Sequence, residues 1–190
     1  MAELLKILEK ENRNRSEETC TEALYLEEEY VKGLIHDTMP NLDIYHVGKV
    51  NNNFLEGMYQ LTKAEYISRH GFCKELNLLH VTSQENIHSI IKDNLDWRRV
   101  TRRAFGSGTY FSTDAMRANS ICNPNCGVKR AIIVCKVLVS CSGTFTGQPH
   151  TNTIPQHIDT CIDESRNIYV KYNDNEFLPL FVAYYDYKIL

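Results

Sequence analysis

One segment constrains the fold more than any other, because it reads as a strand that is buried on both faces. Residues 131–139 (AIIVCKVLV) are almost entirely apolar and rich in the β-branched residues that favour strands. A strand without alternation of polar and apolar residues needs a layer of structure on each side. Its apolar core, 131–135, is far too short to span a membrane. The rest of the chain must therefore supply the covering helices and the neighbouring strands.

Weaker patterns predict the other elements of an α+β domain with mostly antiparallel strands. Strands are predicted over 44–50, 76–81, 109–112, 168–172 and 181–187. Helical spacing of apolar residues predicts helices over 54–66 and from 87 to about 93, and Thr82 and Glu85 are expected to form a capping box before the second helix. Because the last two strands flank a turn sequence at 173–175, they are expected to form a hairpin.

The start of the chain is charged and helix-prone, and we interpret residues 1–27 as an N-terminal helical extension. An accessory helix packed on the domain and a docking helix for a partner both fit this pattern. Residues 28–190 are then the main domain, and a chain of 190 residues fits one domain with such an appendage.

Composition and charge limit the classes of function. Hydrophobic residues make up 43% of the chain and charged residues 24%, which is typical of a globular protein and excludes collagen, wholesale disorder and a membrane bundle. A net charge of −3 gives no overall attraction to nucleic acid, so a basic site must be local. No secretory signal is visible, and the seven cysteines are scattered from Cys20 to Cys161. These features predict reduced thiols and a cytoplasmic or nuclear location without membrane association.

Two local motifs carry candidate chemistry. His80 lies at the end of an apolar strand, where a side chain can point into a cleft or stay in the core as a hydrogen-bonded structural residue. Gly106 and Gly108 precede Tyr110, and two glycines at this spacing allow the backbone to approach a ligand closely. Each motif alone is weak evidence, since a glycine turn before a strand is common.

In this order and separation, the motifs resemble the catalytic domain of the poly(ADP-ribose) polymerase family. The resemblance is carried by LHVTS (79–83), NLDWR (94–98) and FGSGTYF (105–111), with further matches at 38–40, 50–52, 131–139, 159–161, 168–170 and 178–182. It covers roughly 28–187 and is closest to the mono-ADP-ribosylating branch that accompanies zinc-finger and WWE modules. It implies an ADP-ribosyltransferase fold, with split antiparallel β-sheets and flanking helices, and NAD as the co-substrate.

The resemblance also implies roles for individual residues. His80 matches the family's histidine on the adenosine ribose, and Tyr110 matches the tyrosine on the nicotinamide side. Alignment of the last strand places Ala183 at the third catalytic position, where the family has a glutamate that stabilises an oxocarbenium-like transition state. The implied NAD-binding positions are Val81, Thr82, Arg98, Gly106, Gly108, Phe111, Ala118 and Ile121.

Several of these positions depart from the family pattern. Val81 replaces a glycine, Ala118 replaces a serine hydroxyl, and Ile121 replaces a stacking aromatic residue. Asn119 and Ser120 are adjacent, so a shift of one residue would restore a polar contact but no aromatic face. One lost hydrogen bond and one lost stack, each worth about 0.5–1.5 kcal/mol, together with crowding from Val81, weaken NAD binding by roughly 2–5 kcal/mol. This deficit corresponds to roughly thirty- to several-thousand-fold in affinity.

Two functions follow from the same residues. The first is a pseudoenzyme that binds no NAD and uses the fold as an interaction or scaffold module, with a protein partner or a larger multidomain context. The second is a mono-ADP-ribosyltransferase that uses NAD in an altered pocket to modify protein or nucleic acid. The missing glutamate argues against poly(ADP-ribose) synthesis, although mono-transferring relatives also lack it.

Two further clusters could bind a ligand, the first a phosphate group and the second a metal ion. Arg98, Arg99, Arg102 and Arg103 place four guanidinium groups within 98–103, where they fit the NAD diphosphate, another phosphate or RNA, or a solvated loop. Cys122 and Cys126 have the spacing of half a zinc site, but no second close pair accompanies them. We therefore expect no metal, and these thiols are interpreted as structural or incidental.

Overall fold

The computed structural model describes residues 19–99, 106–144 and 158–187. Its helices are α1 (Tyr25–His36), α2 (Asn53–His70), α3 (Ile87–Asp93) and α4 (Ala115–Ile121), with short 3-10 turns at Gln84–Asn86, Trp97–Arg99 and Pro124–Cys126. Its strands are β1 (Cys20–Glu22), β2 (Ile44–Val50), β3 (Lys74–Ser83), β4 (Thr109–Ser112), β5 (Lys129–Val139), β6 (Ser142–Thr144), β7 (Thr160–Ile162), β8 (Ile168–Lys171) and β9 (Phe177–Asp186).

These strands form a sheet in the order β1-β2-β9-β5-β3-β4-β8-β7-β6. The pairings are antiparallel except for the parallel pair of β6 and β7. Together with the flanking helices this is the predicted α+β arrangement. The buried strand predicted at 131–139 is β5, which lies between β3 and β9.

Both faces of β5 are covered, as its apolar sequence requires. Ile132, Ile133, Val134 and Cys135 have no exposed surface. Ile132 and Val134 pack on one face with residues of α1 and α4. Ile133 and Cys135 pack on the opposite face with the isoleucines of α3. Burial of a side chain of this size stabilises the fold by about 1.5–3 kcal/mol, so the strand anchors two apolar layers.

The sheet is nearly divided between β3 and β4. β3 pairs with β5 along its whole length, from Lys74 opposite Val139 to Ser83 opposite Arg130. Its pairing with β4 consists of Leu79 opposite Ser112. A five-strand part (β1, β2, β9, β5 and β3) is thus joined to a four-strand part (β4, β8, β7 and β6) at one bridge. The two parts diverge beyond it, in agreement with the expected split sheet.

The late hairpin predicted from the turn at 173–175 is wrong. β8 pairs with β4 and β7, whereas β9 lies between β2 and β5. The turn carries the chain from one part of the sheet to the other, and the buried Glu176 carboxylate accepts the Asn173 backbone N–H at 3.1 Å. Residues 173–175 do form a turn, as predicted, but the partner of each flanking strand depends on distant residues.

The capping box expected of Thr82 is also wrong, because β3 continues through Ser83. Ser83 Oγ accepts the Glu85 backbone N–H at 3.4 Å, so the cap lies one residue later. Thr82 Oγ1 instead accepts a hydrogen bond from the Asn86 side chain at 2.9 Å. Asp114, by contrast, caps α4 by accepting the Arg117 backbone N–H at 2.8 Å.

The boundary predicted between 27 and 28 falls inside helix α1. Val31 and Ile35 of this helix are fully buried against the main core. Upstream of it, β1 pairs with β2, so the described part of the predicted extension is part of the sheet. Residues 1–18 of that extension lie outside the described residues.

Candidate functional site

A cleft of about 640 Å³ opens where β3 and β4 diverge. One side is formed by the end of β3, by α3 and by the segment up to Arg99, and the other by Thr109, Tyr110 and residues around the end of α4. Asp174 and Asn175, which precede β9, complete its rim. The volume is in the range of small-molecule sites, about 300–1,000 Å³. His80, Val81, Thr82, Arg98, Tyr110 and Ile121 of the predicted site line it.

His80 is partly buried and bridges the two sides of the split. Its Nδ1 lies 2.8 Å from the Tyr110 backbone oxygen. Because a carbonyl can only accept, Nδ1 carries the proton and Nε2 is left as an acceptor. Burial lowers the pKa of His80, and the Tyr110 carbonyl opposes this more weakly, so the ring is neutral near pH 7. His80 therefore offers the cleft a hydrogen-bond acceptor rather than a charge.

Tyr110 lies on β4, across the split from His80. Its hydroxyl donates to the Gly106 backbone oxygen at 2.8 Å. Its ring packs, as does Ile121, on the apolar cluster of Cys161, Ile168 and Val170. His80 and Tyr110 thus meet through the Tyr110 backbone and not through its hydroxyl.

Backbone conformation and close packing explain why glycine stands at both predicted positions. Gly106 has φ +89°, in the left-handed region that side chains disfavour. A Cβ on Gly108 would lie 2.5 Å from the Lys171 backbone oxygen and 2.6 Å from Val170 Cγ1. Close packing of β4 against β8 therefore requires glycine at position 108, whatever the cleft holds. Phe111 of the predicted set is fully buried, 5.9 Å from the His80 ring centroid.

The three positions expected to hold nicotinamide carry aliphatic side chains. Val81 and Ala118 are 4% and 2% exposed, and they belong to one core cluster on the side of the sheet covered by α4. Val81 and Ile121 line the cleft, whereas Ala118 does not. None of the three side chains carries the hydroxyl or the aromatic face that the family pattern has at these positions.

The neighbouring polar residues of α4 form hydrogen bonds to other parts of the protein. The Asn119 Oδ1 atom accepts from Arg130 Nη1 and from the Tyr185 hydroxyl, each at 2.7 Å. The exposed Ser120 hydroxyl donates to the Arg117 backbone oxygen at 2.8 Å. A shift of one residue along the helix therefore does not supply the missing contact.

The pairing of the strands shows how Ala183, the predicted third catalytic position, is oriented relative to His80. His80 lies opposite Ile133, which lies opposite Val182, so these three share one face. Ala183 lies opposite Ile132, which lies opposite Val81, so it shares the other face. The position predicted at Ala183 thus points away from the His80 face, and Val182 stands in its row. Both side chains are fully buried and neither is acidic.

The arginine loop is balanced by carboxylates. Arg98 forms ion pairs with Asp96 at 2.7 Å and with Asp174 at 2.8 Å, and its guanidinium lies 5.1 Å from the Trp97 ring centroid. Arg99 lies 3.7 Å from Asp96. The Arg98 backbone N–H and guanidinium lower the pKa of Asp96, so the carboxylate is charged. Arg102 and Arg103 lie outside the described residues.

Sequence reasoning missed two features of this region. The first is the buried network of Asn119, Arg130 and Tyr185, which the sequence signals only through Lys129 and Arg130 at the start of the apolar β5. The second is that Cys122 and Cys126 both line the cleft. No group of three or more His, Cys, Asp or Glu side chains in the described parts of the chain could hold a metal ion. Of the described helices, none has the length and apolar character needed to cross a membrane.

Comparison with known proteins identifies the family. The model of the poly(ADP-ribose) polymerase catalytic domain matches residues 26–167, about three quarters of the chain. Protein mono-ADP-ribosyltransferase PARP11 of Mus musculus is 32% identical over 96 residues, which cover 48% of this chain and 29% of that protein. Protein mono-ADP-ribosyltransferase PARP12 of Homo sapiens is 33% identical over 94 residues, which cover 46% and 13%. The matches thus span less than a third of these relatives' lengths.

Proposed function

Since the chain belongs to the poly(ADP-ribose) polymerase catalytic domain family, we propose that it is a pseudoenzyme of that family, which acts through binding and not through transfer of ADP-ribose. The observation that carries this proposal is that Val81 and Ile121, two of the positions implied for nicotinamide, line the cleft with aliphatic side chains, while Ala118 is buried in the core. NAD does not fit these residues, because the carboxamide finds no side-chain donor and the ring finds no aromatic partner on α4.

The size of the deficit supports this choice. The lost hydrogen bond and the lost stack cost about 0.5–1.5 kcal/mol each, and the β-branched Val81 adds crowding beside the open edge of β3. The total is roughly 2–5 kcal/mol, or roughly thirty- to several-thousand-fold in affinity. A nucleotide that an intact pocket would bind at about micromolar to millimolar strength would then be largely unbound here.

Synthesis of ADP-ribose polymers is not part of the proposal. An oxocarbenium-like transition state is stabilised by a carboxylate close to the reacting carbon. On β9 the row of His80 passes through Val182, and the adjacent position is Ala183. Neither of these two residues is acidic.

A second candidate is a mono-ADP-ribosyltransferase that binds NAD in an altered pocket. One argument in its favour is that the relatives reported above are mono-ADP-ribosyltransferases. Another is that His80 and Tyr110 are present on opposite sides of the cleft. Both residues also have a structural use, however, since His80 donates to the Tyr110 carbonyl and Tyr110 donates to the Gly106 carbonyl. Their retention is therefore accounted for without a transfer reaction.

Calorimetric titration of NAD into the purified chain separates the two candidates. We expect no measurable heat at millimolar NAD for the natural sequence, and binding after Val81→Gly, Ala118→Ser and Ile121→Tyr are combined. Ser120→Ala is the matched control, because that hydroxyl faces solvent on the same helix. Ile121→Tyr alone, at a partly buried position, repeats the test with less risk to folding.

Binding by the natural sequence at micromolar to low-millimolar NAD, lost on His80→Ala, would overturn the pseudoenzyme and support the transferase. A folded triple variant that binds no better than the natural sequence would contradict the account of the lost pocket.

A domain that acts through binding needs a partner. A protein partner, or further domains of a longer protein, would use this domain as a scaffold in the cytoplasm or nucleus. Contact of the arginine loop with phosphate or RNA stays a prediction. It would have to compete with Asp96 and Asp174 for Arg98, which already has two carboxylate partners.

A further inference from the structure

Cys122 and Cys126 stand together at one side of the cleft. Cys122 follows the last residue of α4, and Cys126 closes the 3-10 turn Pro124–Cys126. Neither is in a disulfide, both are 8% exposed, and both line the cleft. The Cys122 thiol lies 3.6 Å from the Asn123 backbone oxygen and within hydrogen-bonding reach of Cys126. The short turn thus returns the chain so that two thiols, four residues apart, share one site.

The surroundings of Cys126 favour a negative charge. The Cys122 thiol and the backbone N–H groups of Ser83 and Asn123 lie within hydrogen-bonding reach of its sulfur. The Cys122 bond is the largest contribution, and together with the Arg130 guanidinium these donors lower the pKa of Cys126 below its ordinary value of 9.0 against the opposing effect of burial. The buried Cys135 differs, because burial alone raises the pKa of its thiol.

Arg130 supplies an independent sign of an anion at this place. It is 8% exposed, and its Nε and Nη1 donate to the Gly127 backbone oxygen and to Asn119 Oδ1 at 2.8 and 2.7 Å. Its guanidinium also lies 4.0 Å from the Tyr187 ring centroid. These partners are neutral, and no carboxylate of the described residues forms a salt bridge with Arg130. A buried cation without an anion is costly, and a thiolate at Cys126 balances it.

We propose that Cys122 and Cys126 form an oxidisable dithiol in the cleft, with Cys126 as the attacking thiolate and Cys122 as the resolving thiol. The oxidant is a peroxide. The Cys126 thiolate attacks one peroxide oxygen, the O–O bond breaks, and a sulfenic acid and hydroxide form. The Cys122 sulfur then attacks the Cys126 sulfur, the S–O bond breaks, and the hydroxyl leaves as water with the Cys122 proton. One peroxide is reduced, and two thiols become one disulfide. The proposal does not depend on NAD.

Cys20 and Cys73 offer an internal comparison within the same chain. Both are more exposed than Cys126, and burial raises the pKa of each. If access decided reactivity, they would react first. If thiolate character decides it, Cys126 reacts first, by about ten-fold or more at pH 7.

The test exposes the full chain to less than one equivalent of hydrogen peroxide at pH 7, blocks the remaining thiols with N-ethylmaleimide and digests it with trypsin. Cleavage after Arg117 and Lys129 releases 118–129, which contains both cysteines in one peptide. We expect this peptide to lose two hydrogens and take up no maleimide, while Cys20 and Cys73 are alkylated. Oxidation of Cys20 or Cys73 at lower peroxide than 118–129 would overturn the proposal.

Single substitutions separate the two roles. Cys122→Ser keeps a hydroxyl donor to Cys126 and removes the resolving sulfur, so we expect a sulfenic acid at Cys126 that dimedone traps. Cys126→Ser should slow oxidation at Cys122 by about ten-fold or more. Cys73→Ser is the matched control and should leave the disulfide yield unchanged. Equal oxidation of Cys122 with and without Cys126 would show that the assigned attacking thiol is wrong, and thermal melts of each variant verify folding.

Discussion

The two parts of the sheet that border the cleft are stabilised in different ways. The five-strand part is held by apolar packing, since residues 132–135 of β5 are fully buried between two layers of aliphatic side chains. The four-strand part depends on a buried polar cluster at the ends of β7 and β8. Lys171 Nζ lies 2.9 Å from Asp159 Oδ1, 2.8 Å from Thr160 Oγ1 and 3.6 Å from Glu176 Oε1.

This cluster also ties the four-strand part to the rest of the molecule. Tyr66 of α2 donates to the Glu176 carboxylate, which precedes β9. Asp159 accepts the backbone N–H groups of Ser140 and Cys141 after β5, the first at 3.3 Å. His80 stands on the apolar part and Tyr110 on the part held by charges. The buried polar cluster thus supports the Tyr110 wall of the cleft but not the packing of β5, so we expect its disruption to loosen the Tyr110 wall more than the His80 wall.

Lys171→Met should have the largest effect on this comparison. It leaves the Asp159 carboxylate without its cation at a site where Lys171 itself has no exposed surface, and we expect a loss of about 3–5 kcal/mol in the free energy of unfolding. Urea denaturation measures it. The double variant with Asp159→Asn should recover part of the loss. Additive losses in the double variant would show that the pair is not coupled.

The pH dependence of stability should change next most, by roughly a few kcal/mol, on Glu176→Gln. Burial raises the pKa of Glu176 from 4.5 to about 8, so between these values the folded state holds a proton that the unfolded chain has released. Its stabilising contribution is therefore complete below pH 4.5 and is lost as the pH rises through 8. The stability of the natural chain relative to Glu176→Gln should fall from pH 5 to 8 in urea melts, and parallel profiles would contradict the cause given.

Ile133→Val probes the apolar part and should cost less, about 0.5–1.5 kcal/mol, because one methylene group is removed from a fully buried site. The loss should not vary between pH 5 and 8, since charged groups do not touch this packing. Hydrogen exchange sharpens the contrast: Lys171→Met should speed exchange in β4 and β8 more than in β5, while Ile133→Val should affect β5. Uniform acceleration in both variants would mean that the two parts open as one unit.

Asp174→Asn should have the smallest effect on stability. The Arg98 pair is largely exposed, with 56% of the arginine side chain and 45% of the aspartate side chain accessible, so solvent screens it and the melting temperature should not change measurably. The variant removes one of the two carboxylates that balance Arg98. If the arginine loop binds phosphate, inorganic phosphate should therefore bind more tightly to Asp174→Asn, as titration would show. Unchanged phosphate binding would count against that prediction.

Much of the fold was predictable because its signals are local. The apolar run of β5 and the helical spacing of α2 indicate which residues are buried without reference to the rest of the chain. The same holds for the Asp114 cap of α4, whose hydrogen bond spans three residues. The motifs at 79–83 and 105–111 predicted the family in a similar way, because they lie on short segments of sequence.

For the candidate site, the sequence predicted which residues take part but not how they interact. His80, Tyr110, Val81 and Ile121 do line one cleft. Their use could not be read from the chain, because hydrogen-bond partners such as the Tyr110 carbonyl and counter-ions such as Asp174 come from distant segments. The sequence shows the thiol pair only as a spacing, because folding is needed to bring the Ser83 backbone N–H and the buried Arg130 close to Cys126.

The sequence by itself determined most of the strands and helices, which family the chain resembles, and that residues 182–184 include no acid. Only the tertiary structure decided that β9 pairs with β2 and β5 rather than with β8, that Val182 and not Ala183 faces the same way as His80, and that Lys171 is buried among carboxylates. The physical reason is the range of the interactions. Periodicity and capping act within a few residues, whereas strand register, burial of charge and pKa depend on groups that only folding brings together.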